Sequence, residues 1–147
     1  MEVFGFRFGA ENLRPKTENR KPKTENRKPT TEDLFMKRYG SVIEVRAEKL
    51  DEYKRLHAAV WPGVLDMIRQ CNIRNYSIYL RRLNDGRHYL FSYFEYFGDD
   101  FAADMAKMAA DPTTQEWWRH CIPCQAPLPD RAEGEWWASA EEVFHAD

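Results

Sequence analysis

The chain has 147 residues, enough for one domain with or without a tail, and 43% of them are hydrophobic and 14% aromatic. Such an aromatic content excludes a wholly disordered protein. The 22 basic and 24 acidic residues nearly balance, which argues against a nucleic-acid-binding protein that relies on bulk positive charge. No apolar run approaches the ~18 residues of a membrane span, and the first residues lack the features of a signal peptide. Three cysteines do not form a disulfide framework, so we expect a soluble cytoplasmic protein with reduced thiols.

The first 35 residues differ in composition from the rest, with 8 of the 22 basic and 6 of the 24 acidic residues. The heptapeptide PKTENRK at 15–21 recurs unchanged at 22–28, and a degenerate third copy follows. The repeat has no apolar residue for a coiled-coil seam, and its prolines interrupt any helix. We therefore expect a disordered tail over 1–35, without a role in activity, and a folded domain over 36–147. A perfect repeat is also consistent with translated upstream DNA and a true start at Met36.

The first half of the domain predicts one strand and a helical region. A β-branched, partly alternating segment over 39–45 predicts the first strand. Apolar residues recur at three- and four-residue steps over 48–71, which is typical of a helix. Pro62 lies inside this region, where it either kinks the helix or begins a second one.

The second half predicts a hairpin, two helices and a last strand. Alternating segments over 75–82 and 87–97 flank the turn sequence Asn84-Asp85-Gly86, which predicts a β-hairpin. An N-cap at 98–100 precedes a helix over 101–110. Asp111-Pro112 begins a short helix that contains the adjacent Trp117 and Trp118, and 141–145 supplies a last strand. The order β-α-β-β-α-β predicts an α+β domain with the ferredoxin-like fold.

The strand over 87–97 carries aromatic residues on both faces. Tyr89, Phe91 and Tyr93 alternate there with Leu90, Phe94 and Tyr96. Helices cover only one face of such a sheet, so the other needs a second cover. We therefore expect a homodimer in which a partner chain covers the second face.

One helical stripe combines groups suited to proton transfer. His57 lies four residues after Tyr53 and four before Trp61, so the three share one side of the predicted helix. A hydroxyl, an imidazole and an indole on one stripe could line a pocket for a small polar ligand. The alternative is an amphipathic helix whose semi-polar residues lie at the edge of the core.

Two further motifs each allow a structural and a functional interpretation. Adjacent residues on a helix point about 100° apart, so one of Trp117 and Trp118 could enter the core while the other forms a platform for a sugar. Cys121 and Cys124 have the spacing of metal ligands, with His120 beside them. A structural zinc site needs four ligands, and no second motif supplies the rest, so we expect neither a metal site nor a redox dithiol.

Five short segments stand in a fixed order within about residues 36–147. They are Glu52-Tyr53-Lys54-Arg55-Leu56-His57, Val60-Trp61-Pro62, Asn75-Tyr76-Ser77-Ile78-Tyr79-Leu80, Trp117-Trp118 and Glu141-Glu142-Val143-Phe144. Together they resemble the L-rhamnose mutarotase family. The resemblance implies a dimeric α+β barrel of ferredoxin-like subunits. Carried over by position, it implies that His57 is the proton donor and that Tyr53, Tyr76, Trp117 and Trp118 bind the sugar.

The implied reaction interconverts the α and β anomers of a 6-deoxy-L-hexose, L-rhamnose first and L-fucose next. The segments at 98–105 and 121–125 differ from the better-known rhamnose enzymes and resemble a branch that acts on L-fucose. Ring opening and closure need only groups that exchange protons near neutral pH, such as His57, and no cofactor or metal. The alternatives are a non-catalytic small-ligand-binding protein and a cofactor-free monooxygenase of the same fold.

Overall fold

The computed structural model describes residues 36–146, so the expected tail over 1–35 lies outside the described residues. The described part contains five strands and four α-helices in an α+β arrangement. In chain order they are β1 Lys37–Val45, α1 Leu50–Ala58, α2 Pro62–Gln70, β2 Ile73–Arg82, β3 His88–Tyr96, α3 Phe101–Ala110, α4 Pro112–Cys121, β4 Gln125–Ala126 and β5 Ala138–Ala140. None of these helices is long and apolar enough to cross a membrane.

The sheet is antiparallel and has the strand order of the ferredoxin-like fold. Its path is β2-β3-β1-β4, and β5 also pairs with β1. β4 lies against Glu44 and Val45, while β5 lies against 40–42. Two short strands therefore share the fourth position of the sheet, and the predicted fold class is confirmed.

Three of the four helices begin where the sequence predicts, at a proline or directly after an aspartate. Pro62 is the first residue of α2, so the second of its two predicted alternatives is correct. The side chain of Asp100 accepts a hydrogen bond from the backbone N–H of Ala103 at 3.0 Å and so caps α3. Asp111 caps α4 in the same way, through the N–H of Thr114 at 2.7 Å.

The predicted last strand over 141–145 is wrong. The strand that pairs with β1 is Ala138–Ala140, and residues 141–146 form no strand. Val143 and Phe144 are 88% and 81% exposed, so neither side chain is packed in the core of the described domain. β-branched and aromatic residues favour a strand only where a neighbour supplies the pairing and the packing surface.

The helices pack against one face of the sheet and leave part of the other face exposed. Ile43, Val45 and Leu90 point to the helical side, where they form a buried core with Tyr53 and Trp137. On the other face, pairing places Tyr79 beside Phe91, Phe91 beside Val42 and Val42 beside Ala138. Within residues 36–146, Tyr79 and Phe91 are 66% and 38% exposed, Val42 is half-buried and Ala138 is buried, so the row is open at its β2–β3 end. We call the row of Tyr79, Phe91, Val42 and Ala138 the open-face row.

Candidate active site

A cavity of about 380 Å³ lies between the helices and the helical side of the sheet. Side chains from all four helices and from β2 and β3 line it, so the tertiary fold assembles the site from both layers. A volume of this size lies within the range of small-molecule sites. The cavity brings together all five site residues that the sequence predicts, which are Tyr53, His57, Tyr76, Trp117 and Trp118.

His57 is held in one orientation by α1. Its Nδ1 lies 2.9 Å from the backbone carbonyl oxygen of Tyr53, one helical turn earlier. Because that oxygen only accepts hydrogen bonds, Nδ1 carries the proton in the neutral ring. Nε2 is then the nitrogen with a free lone pair. Burial lowers the pKa of His57, with a small opposing effect of the Tyr53 carbonyl, and this favours the neutral imidazole, which accepts a proton at Nε2.

The Tyr53 ring lies under the imidazole and is almost fully buried. The two ring centroids are 4.0 Å apart and the planes differ by 24°. Burial raises the pKa of Tyr53, so the phenol keeps its proton at neutral pH. The nearby Gln125 side chain has a smaller effect in the opposite direction on this pKa.

A β-bulge places Tyr76 in the cavity. Between the pairs Arg74–Glu95 and Ser77–Tyr93, two residues of β2 face one residue of β3. Asn75 adopts a left-handed conformation with φ of 49°, as the first residue of such a bulge often does. The extra residue turns Tyr76 to the helical side, where its ring packs edge-on to Phe94 at 5.5 Å. Burial of the phenol raises the pKa of Tyr76 to about 12.

The two tryptophans of α4 differ in burial, because Trp117 belongs to a buried core cluster and Trp118 only packs against it, while both line the cavity. Trp117 is 6% exposed and meets the edge of His57 at 5.3 Å between centroids. It also packs edge-on against Trp61 at 5.4 Å. Trp118 is only half-buried. Trp117 therefore supports the imidazole, and Trp118 offers the more accessible indole.

The cysteines near the end of α4 are buried free thiols. Cys124 donates a weak hydrogen bond from Sγ to the His120 carbonyl, 3.5 Å away. Burial raises the pKa of Cys121 to about 12, so its thiol is protonated at neutral pH. Among residues 36–146, no group of three or more His, Cys, Asp or Glu side chains is arranged to hold a metal ion.

A comparison with family models decides which proteins this chain is related to. The model of the L-rhamnose mutarotase family matches residues 38–146, which cover almost the whole described domain. The chain belongs to this family. It is therefore a sugar mutarotase, a carbohydrate isomerase.

Individual mutarotases agree with this assignment. The L-rhamnose mutarotase of Bacillus subtilis is 33% identical over 112 residues, and that of Oceanobacillus iheyensis is 30% identical over 112 residues. Both alignments cover 76% of this chain and 100% of the relative. The crystal structure of an L-rhamnose mutarotase from Formosa agariphila has a TM-score of 0.57 at 20% identity, covering 76% of this chain and 99% of that one. This likeness shows the shared fold.

Three polar side chains at the mutarotase cavity were missed by the sequence reasoning. Gln125 and Trp136 both line it, and the indole Nε1 of Trp136 donates to Oε1 of Gln125 at 2.7 Å. Thr114 also lines it, and its buried hydroxyl has no hydrogen-bond partner among the described residues. These three residues lie far from His57 in the sequence and at no helical or strand spacing from it, so a search for sequence periodicity could not have identified them.

Proposed function

We propose that this mutarotase interconverts the α and β anomers of a 6-deoxy-L-hexose, with L-rhamnose as the preferred substrate and L-fucose as the next. The observation that carries the proposal is the cavity in which His57 is held with Nε2 available, beside two phenols and four indoles. The names of the relatives support L-rhamnose as the sugar. The reaction consists of proton transfers and one carbon–oxygen bond change, and we propose that it needs no cofactor or metal.

His57 is proposed as the proton-transfer residue. On opening, the neutral imidazole removes the O1 proton through Nε2, the C1–O5 bond breaks as the C1 carbonyl forms, and O5 takes up a proton from a donor in the cavity. The aldehyde rotates about C1–C2. On closure, O5 attacks the other face of C1 and gives its proton back to that donor, while the protonated imidazole returns its proton to O1. The hydrogen bond of Nδ1 to the Tyr53 carbonyl supports this role, because it keeps the tautomer constant between the two steps.

The remaining four predicted residues are proposed to bind the sugar. Tyr53 and Tyr76 are phenols that stay protonated at neutral pH, so each can donate to a sugar oxygen. Trp118 is proposed to stack on the apolar C–H face of the pyranose and its methyl group. Trp117 lines the same cavity, contacts the imidazole edge-on and is proposed to bind the sugar at its reacting end.

Saturation-transfer NMR tests the proposed reaction directly. With catalytic amounts of protein, exchange between the anomeric proton signals of L-rhamnose should accelerate, and a panel with L-fucose and their epimers ranks the substrates. A non-catalytic binding protein would shift signals without exchange. A monooxygenase would consume oxygen, and either result would refute the proposal. An added chelator should leave the exchange rate unchanged.

We also infer that the protein is a homodimer formed through the open-face row. The row is apolar, and Tyr79 and Phe91 leave its β2–β3 end exposed within the described chain, so a second copy closing on this end would bury it from water. Phe91→Glu should therefore halve the mass measured by light scattering after size exclusion. The charge reversal Lys107→Glu, on the exposed surface of α3, is the matched control. A parent protein that is already monomeric would refute the dimer.

The domain over 36–147 is proposed to carry the whole activity, without a contribution from 1–35. The family match begins at residue 38, which supports this division. A chain beginning at Met36 should exchange L-rhamnose anomers at the rate of the full chain, and a large loss would contradict the proposal. The three free cysteines support a cytoplasmic location, which cell fractionation tests.

A further inference from the structure

The loop over 127–137, which precedes β5, brings two further indoles to the cavity. Trp136 and Trp137 both line it, and the proposed mechanism uses neither of them. Trp137 is 3% exposed and belongs to the buried cluster that contains Tyr53. Trp136 is half-buried and packs against the outside of that cluster. Trp136 therefore keeps more surface for a ligand than Trp137 does.

Trp136 and Trp118 belong to different parts of the cavity wall. Trp118 comes from α4 and packs against the clusters that contain Val64 and Met105. Trp136 comes from the loop before β5 and packs against the cluster of Tyr53. The cavity therefore has a half-buried indole in each of two separate regions of its wall.

A hydrogen bond to β4 determines what the Trp136 indole can offer to a ligand. Its Nε1 donates to Oε1 of the buried Gln125 at 2.7 Å. The indole has no other donor and no acceptor, so its polar group is already engaged within the protein. What remains for a sugar is the carbon surface of the ring, which suits an apolar C–H face.

The carboxylate of Glu135 fixes the backbone on both sides of Trp136. It is 7% exposed, and its Oε1 accepts the hydroxyl of Ser139 at 2.6 Å. Its Oε2 accepts the backbone N–H groups of Ala132 and Ser139, each at 3.2 Å. Buried carboxylates persist where donors satisfy them, and these donors lie four residues after Glu135 and three before it. The side chain thus ties the loop to the start of β5.

We propose that Glu135 is a positioning residue and that Trp136, which it holds in place, is an additional sugar-binding surface of the cavity. This inference rests on the proposed function and adds a contact beyond the five predicted site residues. Apolar stacking acts on the ground and transition states alike, so the contact contributes to KM and leaves kcat almost unchanged. Glu135 reaches the sugar only through Trp136.

Single substitutions test each half of the proposal. Trp136→Ala removes the surface, and KM for L-rhamnose should rise about five-fold or more with kcat within about two-fold of the parent. Glu135→Gln keeps the shape but places an amide donor against N–H groups, and KM should rise about three-fold or more. Glu133→Gln makes the same change at an exposed position of the same loop and should retain the parent KM.

A double variant separates positioning from a general effect on stability. In the Trp136→Ala protein, the further substitution Glu135→Gln should change KM by less than about two-fold, because the surface that Glu135 holds is already absent. KM effects that multiply in the double variant would overturn the positioning role. An unchanged KM in folded Trp136→Ala would overturn the sugar contact. Urea unfolding establishes that each protein is folded under the assay conditions.

Two milder variants keep the test decisive if either protein does not fold. Ser139→Ala removes the hydroxyl donor to Glu135 and retains the backbone N–H, while Trp136→Leu fills part of the indole volume without an aromatic face. Ser139→Ala should raise KM about two-fold or more in the parent and have no effect in Trp136→Leu. Equal effects in both backgrounds would overturn the proposal. Failure of the proposed function would instead appear as absent anomer exchange in the unsubstituted protein.

Discussion

His57 and Tyr53 contact each other in two ways that act on the same ring. The imidazole stacks on the phenol ring at 4.0 Å between centroids, and its Nδ1 donates to the Tyr53 backbone carbonyl at 2.9 Å. Stacking restrains the tilt of the imidazole, and the hydrogen bond determines which nitrogen is protonated. A single turn of α1 thus prepares Nε2 for proton transfer through a backbone carbonyl.

His57→Ala should abolish most of the anomer exchange, with a loss on the order of 10²–10⁴ in kcat. The reason is that Nε2 is the proposed acceptor of the O1 proton. His120→Ala is the matched control, since His120 contacts Trp61 outside the cavity lining and should retain the parent rate. Saturation-transfer NMR measures both, and near-normal exchange by a folded His57→Ala protein would remove His57 from the mechanism.

The acid limb of kcat/KM should lie below pH 6.5. Burial lowers the pKa of His57 from its ordinary value of 6.5, so the imidazole stays neutral at pH 7 and becomes protonated only at lower pH. Since the reactive form is the neutral base, activity should be level near pH 7 and decline as the pH falls through the lowered pKa. Because the pH dependence of kcat/KM reports pKa values of the free enzyme, the midpoint of this limb gives the pKa of His57 without bound sugar. A midpoint above 6.5 would be inconsistent with a buried base.

The two adjacent tryptophans should respond differently to truncation. Trp117→Ala removes a buried indole between His57 and Trp61, and urea unfolding should show a loss of about 3–5 kcal/mol in the free energy of unfolding. Trp118→Ala should instead raise KM for L-rhamnose more than it lowers kcat, because stacking acts on ground and transition states alike. Trp118→Phe retains a ring and serves as its control. An unchanged KM in folded Trp118→Ala would exclude the platform.

Thr114→Val should stabilise the ligand-free protein by about 1 kcal/mol, since an unsatisfied buried hydroxyl costs about 1–3 kcal/mol and valine has nearly the same shape. Thr113→Val, at the neighbouring exposed position, is the control and should stay within about 0.5 kcal/mol of the parent. Urea unfolding measures both. A loss of stability in Thr114→Val would show that the hydroxyl has a partner in solution.

The sequence by itself determined the features that depend on local chemistry. The three- and four-residue spacing put Tyr53 and His57 on one stripe because a helix has 3.6 residues per turn. Pro62, Asp100 and Asp111 marked helix starts because backbone N–H groups at a start lack partners within the helix. Asn84-Asp85-Gly86 marked the hairpin, where Gly86 has φ of 81°.

Only the tertiary structure decided how the site is completed. The bulge at Asn75 reverses the alternation of β2 and turns Tyr76 inward, and a shift of one residue in register leaves no mark on composition. Gln125 and Trp136 meet at the cavity through a hydrogen bond, so their contact depends on how β4 and the loop before β5 pack together. The apolar segment over 141–145 remained outside the sheet because β1 pairs with 138–140 instead. Local propensity acts over a few residues, whereas register and packing depend on the whole domain.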